Sequence, residues 1–164
     1  MNKTRGFERV TTYEGQQLPL PKRATKGSAG YDLTAAVDMV IPSVLKALNT
    51  PDFKGNPIGS SLIPTGVKVY MPENEYLLLA NRSSNPMKRQ LAVPNGIGVI
   101  DSDYYNNEGN EGEIFVQVIN YGLEDLEIKK GERIAQGIFM RYETTDEEEA
   151  DFSVRTGGFG SSGR

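Results

Sequence analysis

The residues of this chain that could do chemistry gather in five short segments. The densest is Asn95-Gly96-Ile97-Gly98-Val99-Ile100-Asp101-Ser102-Asp103-Tyr104. A glycine-marked turn leads there into a short apolar run that ends on two carboxylates and an aromatic ring. Backbone exposed at a hairpin tip can read the edge of a planar base. Asp101 and Asp103 lie two apart, so on an extended strand both project to one face. One of them could orient a water while the other makes a structural contact. Asn81-Arg82-Ser83-Ser84-Asn85-Pro86 follows an apolar run that ends at Ala80. A guanidinium fork beside two hydroxyls makes either a phosphate clamp or a plain turn. Lys26-Gly27-Ser28-Ala29-Gly30-Tyr31-Asp32-Leu33 sets one acid among small residues, as a turn or strand-end acid or as a functional group. Gly131-Glu132-Arg133-Ile134-Ala135-Gln136 offers Gln136 as a ligand contact and Arg133 as half of an internal salt bridge. The fifth segment is the tail, Arg155-Thr156-Gly157-Gly158-Phe159-Gly160-Ser161-Ser162-Gly163-Arg164. Its glycines preclude a helix or packed strand of its own. Its arginines, hydroxyls and single ring suit a nucleotide; otherwise it is an idle chain end.

What is missing narrows the chemistry. The 164 residues include no histidine and no cysteine. Disulfides, thiol nucleophiles, His-based catalysis and ordinary zinc sites are thereby excluded. Carboxylates, hydroxyls, arginines and a hard cation such as magnesium remain, which together support metal-assisted attack of water on a phosphate chain. Acids outnumber bases 22 to 18, for a net charge of -4. That balance opposes stable nucleic-acid binding, whose affinity comes largely from phosphate neutralisation. No apolar run is long enough to span a bilayer. Met1 to Leu18 lacks the apolar core of a secretory leader, and a cytoplasmic setting is expected.

The elements that must position these groups are short strands. Gly66–Met71 alternates, Glu75–Ala80 reads as a buried strand, and Ile97–Ile100 and Ile114–Ile119 are compact apolar runs. Leu126–Ile128 leads to a turn at Lys129–Glu132, and Ile134–Tyr142 follows. Turn signals between such runs predict an all-β domain. Pro42–Leu48 predicts a short helix capped by Ser43, with Val44, Leu45 and Leu48 on one face. Asn49–Ser61 reads as a surface excursion. Residues 1–142 are expected to form the body, 143–154 an acidic solvated linker, and 155–164 a glycine-rich arm.

Taken in order, these five segments resemble the motifs of the trimeric all-β dUTPases, over residues 20 to 164. The matching runs are Gly27–Leu33, Arg82-Ser83-Ser84, Asn95 through Gly98 to Tyr104, Gly131–Gln136 and Gly157–Gly163. The resemblance implies a distorted jelly-roll β-barrel and a homotrimer with three shared sites. It implies hydrolysis of dUTP to dUMP and pyrophosphate, with Mg2+ on the triphosphate. Asp101 would orient the water that attacks the α-phosphorus and would contact the sugar 3′-hydroxyl. Asn95 and Gly98 would read uracil through backbone groups, and Tyr104 would pack under the deoxyribose. Asp32 would hold magnesium through water. Ser83 would donate near the α–β bridging oxygen, while Arg82, Ser84 and Gln136 contact phosphate. From the arm, Phe159 would stack over uracil, and Ser161 and Ser162 would bind the outer phosphates.

The chain departs from that family at several places. Pro42–Ser61 is long, Tyr105–Glu111 intervenes where Arg-Gly-Glu is common, and Arg89 stands where a histidine is often found. Arg155 lies one residue nearer to Gly157 than is common, which loosens its assignment to phosphate. Two other readings share the fold group: a dCTP deaminase or deaminase–diphosphatase, and a noncatalytic regulator with a protein partner.

Overall fold

Alternating apolar residues and frequent turns give an all-β molecule. The computed structural model describes residues 3–48 and 59–147. Its strands are β1 (Gly6–Arg9), β2 (Lys22–Arg23), β3 (Tyr31–Thr34), β4 (Met39–Ile41), β5 (Ser61–Pro64), β6 (Val67–Tyr70), β7 (Glu75–Ala80), β8 (Leu91–Ala92), β9 (Ile97–Asp101), β10 (Phe115–Asn120), β11 (Leu126–Ile128) and β12 (Arg133–Arg141). One α-helix, α1 (Val44–Leu48), interrupts them. The strands pair as β1-β6, β5-β10-β8, β11-β4 and β2-β3-β12-β7-β9. Every named pairing is antiparallel, and the ladder is divided among these sheets instead of closing in one ring. Non-sequential neighbours such as β3-β12-β7 give the crossovers of a jelly-roll arrangement.

The core lies between the sheets. Leu33, Ile41, Ile63, Leu77, Ile114 and Ile134 are fully buried within it. Period-2 burial is cleanest in β7, where Glu75, Leu77 and Leu79 point inward while Tyr76, Leu78 and Ala80 face out. The inward Glu75 is a charge at the edge of this core. Arg5 answers it with a bidentate bond, Nε at 2.8 Å and Nη2 at 2.6 Å, and holds its carboxyl below the usual range. Ser43 caps α1 as its sequence predicts: its Oγ accepts the Lys46 N–H at 2.9 Å. The expected apolar face of that helix is not buried, since Leu45 and Leu48 are both exposed. Strand β1 goes unnoticed in a polar N-terminal sequence; it is recruited by pairing with β6.

The Tyr105–Glu113 loop clasps this N-terminal segment. Lys68 Nζ reaches Asn106 Oδ1 and Glu111 Oε1, each at 2.6 Å, and lies 5.2 Å from the Tyr105 ring centroid. The other Glu111 oxygen accepts from Thr11 backbone and hydroxyl. These bonds, Lys68 first, pull the Glu111 carboxyl down to about 2. A depressed folded pKa adds stability that is complete above the unfolded value and lost as pH falls through the folded one. Glu111→Gln is therefore expected to flatten the fall of Tm between about pH 4.3 and about pH 2. Thermal melts of both proteins across that window check it. The substitution also removes the Glu111 charge that, after burial, helps to push the Glu113 carboxyl up.

Candidate active site

Strand β7 ends at Ala80, and the chain turns sharply into Arg82-Ser83-Ser84. The Asn85 N–H closes that turn on the Arg82 carbonyl at 2.9 Å. Two strands approach the same end. Gln136 of β12 lies opposite Ala80 and, on its other side, opposite Asp32 of β3. Its Nε2 donates to the Asn81 carbonyl at 3.2 Å. Arg82 Nε lies 3.3 Å from Asp32 Oδ1, and Arg133 Nη1 lies 3.2 Å from Asp32 Oδ2. The register of β12 shifts between Arg133 and Ala135, so Ile134 and Ala135 are both buried while Arg133 stays outside, beside Asp32. Two guanidiniums thus share one carboxylate, and the excess positive charge suits an oligophosphate. Gly30 belongs to the same wall: a Cβ there would run into the Gln136 side chain.

The hairpin that leads into β9 sits beside the Ala80 end, and β9 runs from it to Asp101 at the opposite end of the sheet. Gly96 takes φ +78° and its N–H returns to the Val93 carbonyl at 2.9 Å, which makes the tight turn before β9. Asn95 is exposed at that tip. Gly98 lies opposite Leu79, where a Cβ would sit 3.1 Å from the Leu79 Cβ. Asp101 ends the strand opposite Tyr76, half-buried. Asp103 does not share its face, because the strand stops at Asp101 and Ser102–Tyr104 form a 3-10 turn. The expectation of two aligned carboxylates is corrected by that turn. Tyr104 is 5% exposed. Its hydroxyl donates to the Glu113 carbonyl at 2.9 Å and accepts from Asn110 Nδ2 at 2.6 Å, so the ring is held from behind. Asn110 of the Tyr105–Glu111 segment thus braces the ring that follows β9.

Within one chain these two groups do not meet. Asp101, Tyr76, Ala80, Gln136 and Asp32 project from one face of the five-stranded sheet. From Tyr76 to Ala80 is four residues, about 13 Å along the strands, and from β9 to β3 is three strand spacings, about 14 Å across. Asp101 and Asp32 therefore stand about 20 Å apart. That is farther than the α-phosphorus of a nucleotide lies from its outer phosphates. Between them the face is apolar and open: Ile97, Val99 and Met140 are all exposed. Arg155, Phe159, Ser161 and Ser162 lie outside the described residues.

Among the described residues no three acidic side chains gather closely enough to cage a metal ion. Asp32 is a hard oxygen donor inside the Arg82–Arg133 cluster, with both oxygens shared with guanidiniums. The donor set fits a cation carried by a phosphate chain and touched through water, not one held by protein alone. Two residues of this cluster make contacts that the sequence reading did not assign. Asn85 and Arg89 bound a five-residue turn of π-helical type, Asn85–Arg89. The Arg89 guanidinium pairs with the Glu132 carboxylate. The Asn-Pro pair after Ser84 marks a chain reversal but not its side-chain contacts.

Comparison with known proteins identifies the family. A family model described as dUTPase matches residues 16–163. The deoxyuridine 5'-triphosphate nucleotidohydrolase of Lactococcus lactis subsp. lactis (strain IL1403) is 46% identical over 162 residues, covering 98% of this chain and 99% of that protein. The protein of the same description from Caulobacter vibrioides (strain NA1000 / CB15N) is 36% identical over 160 residues, 94% of this chain and 93% of that one. The crystal structure of dUTPase from Streptococcus mutans is similar with a TM-score of 0.74 at 43% identity, covering 87% of this chain and 99% of that chain. With motifs, fold and full-length similarity in agreement, the chain belongs to the dUTPase family of enzymes.

Proposed function

We propose that this chain is a dUTP diphosphatase that hydrolyses dUTP to dUMP and pyrophosphate at sites shared among three copies. One observation carries the reading. The water-orienting Asp101 and the Arg82–Asp32–Gln136 cluster lie at opposite ends of one sheet face, about 20 Å apart. A neighbouring copy must bring its phosphate cluster to the Asp101 end of the first. The exposed Ile97, Val99 and Met140 between them are the apolar surface that such a neighbour would cover.

In the assembled site the hairpin backbone near Asn95 and Gly98 reads uracil, and the braced Tyr104 ring packs under deoxyribose. Asp101 orients a water in line with the α-phosphorus and accepts its proton. Ser83 donates near the α–β bridging oxygen, where leaving-group charge develops. Arg82, Ser84 and Gln136 hold the phosphate chain. Asp32 would hold Mg2+ through water, and the bound ion supplies charge neutralisation along the triphosphate. The arm of a further copy, with Phe159, Ser161, Ser162 and Arg155, closes over the nucleotide. A cytoplasmic setting belongs to the same reading.

Selectivity follows from fixed geometry. A 5-methyl group meets closely placed backbone, and a 2′-hydroxyl meets a ring that Glu113 and Asn110 prevent from moving. Pyrophosphate release from dUTP is expected to exceed that from dTTP, UTP and dCTP by about 10²-fold or more, and to need magnesium. Comparable turnover of UTP or dTTP would overturn the steric account. Ammonia release from dCTP with inert dUTP would replace the reading by a deaminase.

A further inference from the structure

Asn85 is the most completely buried polar side chain near the phosphate-facing cluster, with 0% exposure. Its position follows Ser84 and opens the Asn85–Arg89 turn. The amide Nδ2 makes two bonds: to the Asn81 Oδ1 at 2.7 Å and to the Ile134 carbonyl at 2.8 Å. The two acceptors belong to different elements. Asn81 is the residue between β7 and Arg82, and Ile134 sits in β12 between Arg133 and the Gln136 strand segment. One side chain therefore ties the Arg82–Ser84 turn to the strand that carries Gln136 and Arg133.

The other half of the amide gains nothing from folding. Among the described residues Asn85 Oδ1 is buried with no hydrogen-bond partner. The tie between the two elements therefore rests on the two donor hydrogens alone. The neighbouring bonds show what is being held. The Asn85 N–H closes the turn on the Arg82 carbonyl, Asn81 Nδ2 donates to the Leu91 carbonyl at 3.0 Å, and the Asn81 carbonyl receives Gln136. Ser83 and Ser84 are the two central residues of the turn so closed.

We propose that Asn85 is a positioning residue for phosphoryl chemistry, fixing the Arg82–Ser84 turn at one distance from Gln136 and Arg133. The inference rests on the dUTP diphosphatase reading and adds a residue to it. Asn85 does not touch the nucleotide; it sets where Ser83 stands relative to the leaving oxygen. A displacement of about 1 Å at such a group costs about 10²-fold in rate. The Asn85 side chain bonds to Asn81 and Ile134 and not to the Asn95–Tyr104 hairpin, so the uracil and deoxyribose subsite is left in place.

The test is Asn85→Leu in the full-length protein, with Asn81→Ala as its companion. For Asn85→Leu the expected Tm is below that of the unaltered protein, because the buried Ile134 carbonyl and the Asn81 Oδ1 lose their donor. The kcat for dUTP falls about 10²-fold. Affinity for a nonhydrolysable dUTP analogue with magnesium falls about tenfold or more, while affinity for dUMP stays within about twofold. A merely structural loss would weaken both ligands together. Unchanged kcat and analogue affinity in folded Asn85→Leu would overturn the role. Should Asn85→Leu yield no folded protein, Asn81→Ala decides by the same split, because it removes one of the two acceptors. If the unaltered protein itself were inert on dUTP, the underlying reading would fail; if it were active and both variants matched it, only the role of Asn85 would.

Discussion

Asp101→Asn is expected to lower kcat for dUTP by about 10²- to 10⁴-fold while the assembly and most of the nucleotide affinity survive. Asparagine keeps the size and planarity of the side chain, so the end of β9 opposite Tyr76 keeps its packing. What it loses is the anionic oxygen that accepts a proton from the attacking water. The amide can still accept a bond from the water but cannot take the proton. The effect therefore belongs to kcat, with little change in the binding of a nonhydrolysable analogue. Steady-state kinetics beside an equilibrium titration separate the two. A near-normal kcat would remove Asp101 from the water-activating role.

Deleting Arg155–Arg164 is expected to cost about 10²-fold or more in kcat/KM, with the assembled mass and Tm unchanged. The reason is compositional. After Val154 the segment holds one large apolar residue, Phe159, so it adds almost nothing to a core. It does hold two arginines, two serines and four glycines, the donors and the backbone freedom that enclose a phosphate chain. A ring over the base and donors on the outer phosphates also keep bulk water from the reacting centre. Turnover, light scattering and thermal melts on truncated and full-length protein check each part. Unchanged turnover after truncation would contradict it.

How far the sequence could be read depended on the range of the interactions involved. Strand β7 is found with its own bounds, because a run of Tyr76-Leu77-Leu78-Leu79 between turns has few other solutions. The Ser43 cap and the Gly96 turn are equally local. The salt bridge from Arg133 to Asp32 is anticipated as a type of contact, but its partner is 101 residues away and is fixed only by the register of β3 on β12. Strand β1 has no signal of its own and exists through β6. The pairing of Asp101 with Asp103 fails because alternation holds only while the chain stays extended, and it turns at Ser102. The five motifs were visible by resemblance. What could not be read was the bracing: Asn110 behind Tyr104, Lys68 under Glu111, Asn85 between two strands. Each is a polar residue in a turn-rich segment whose partner is chosen by tertiary packing.

The central claim is that the chemistry is divided between chains, and mixing two inactive variants tests it most directly. Asp101→Asn lacks the proton acceptor, and Arg82→Ala lacks a phosphate clamp at the far end of the same sheet. Each alone should be nearly inert. Co-refolded at equal concentrations, they should form mixed assemblies in which about a quarter of the sites draw an intact Asp101 from one chain and an intact Arg82 from another. Turnover should rise to roughly that fraction of the unaltered protein's. If the mixture stays as inactive as its parents although mixed assemblies are verified by mass, Asp101 and Arg82 act within one chain, and the shared site is wrong.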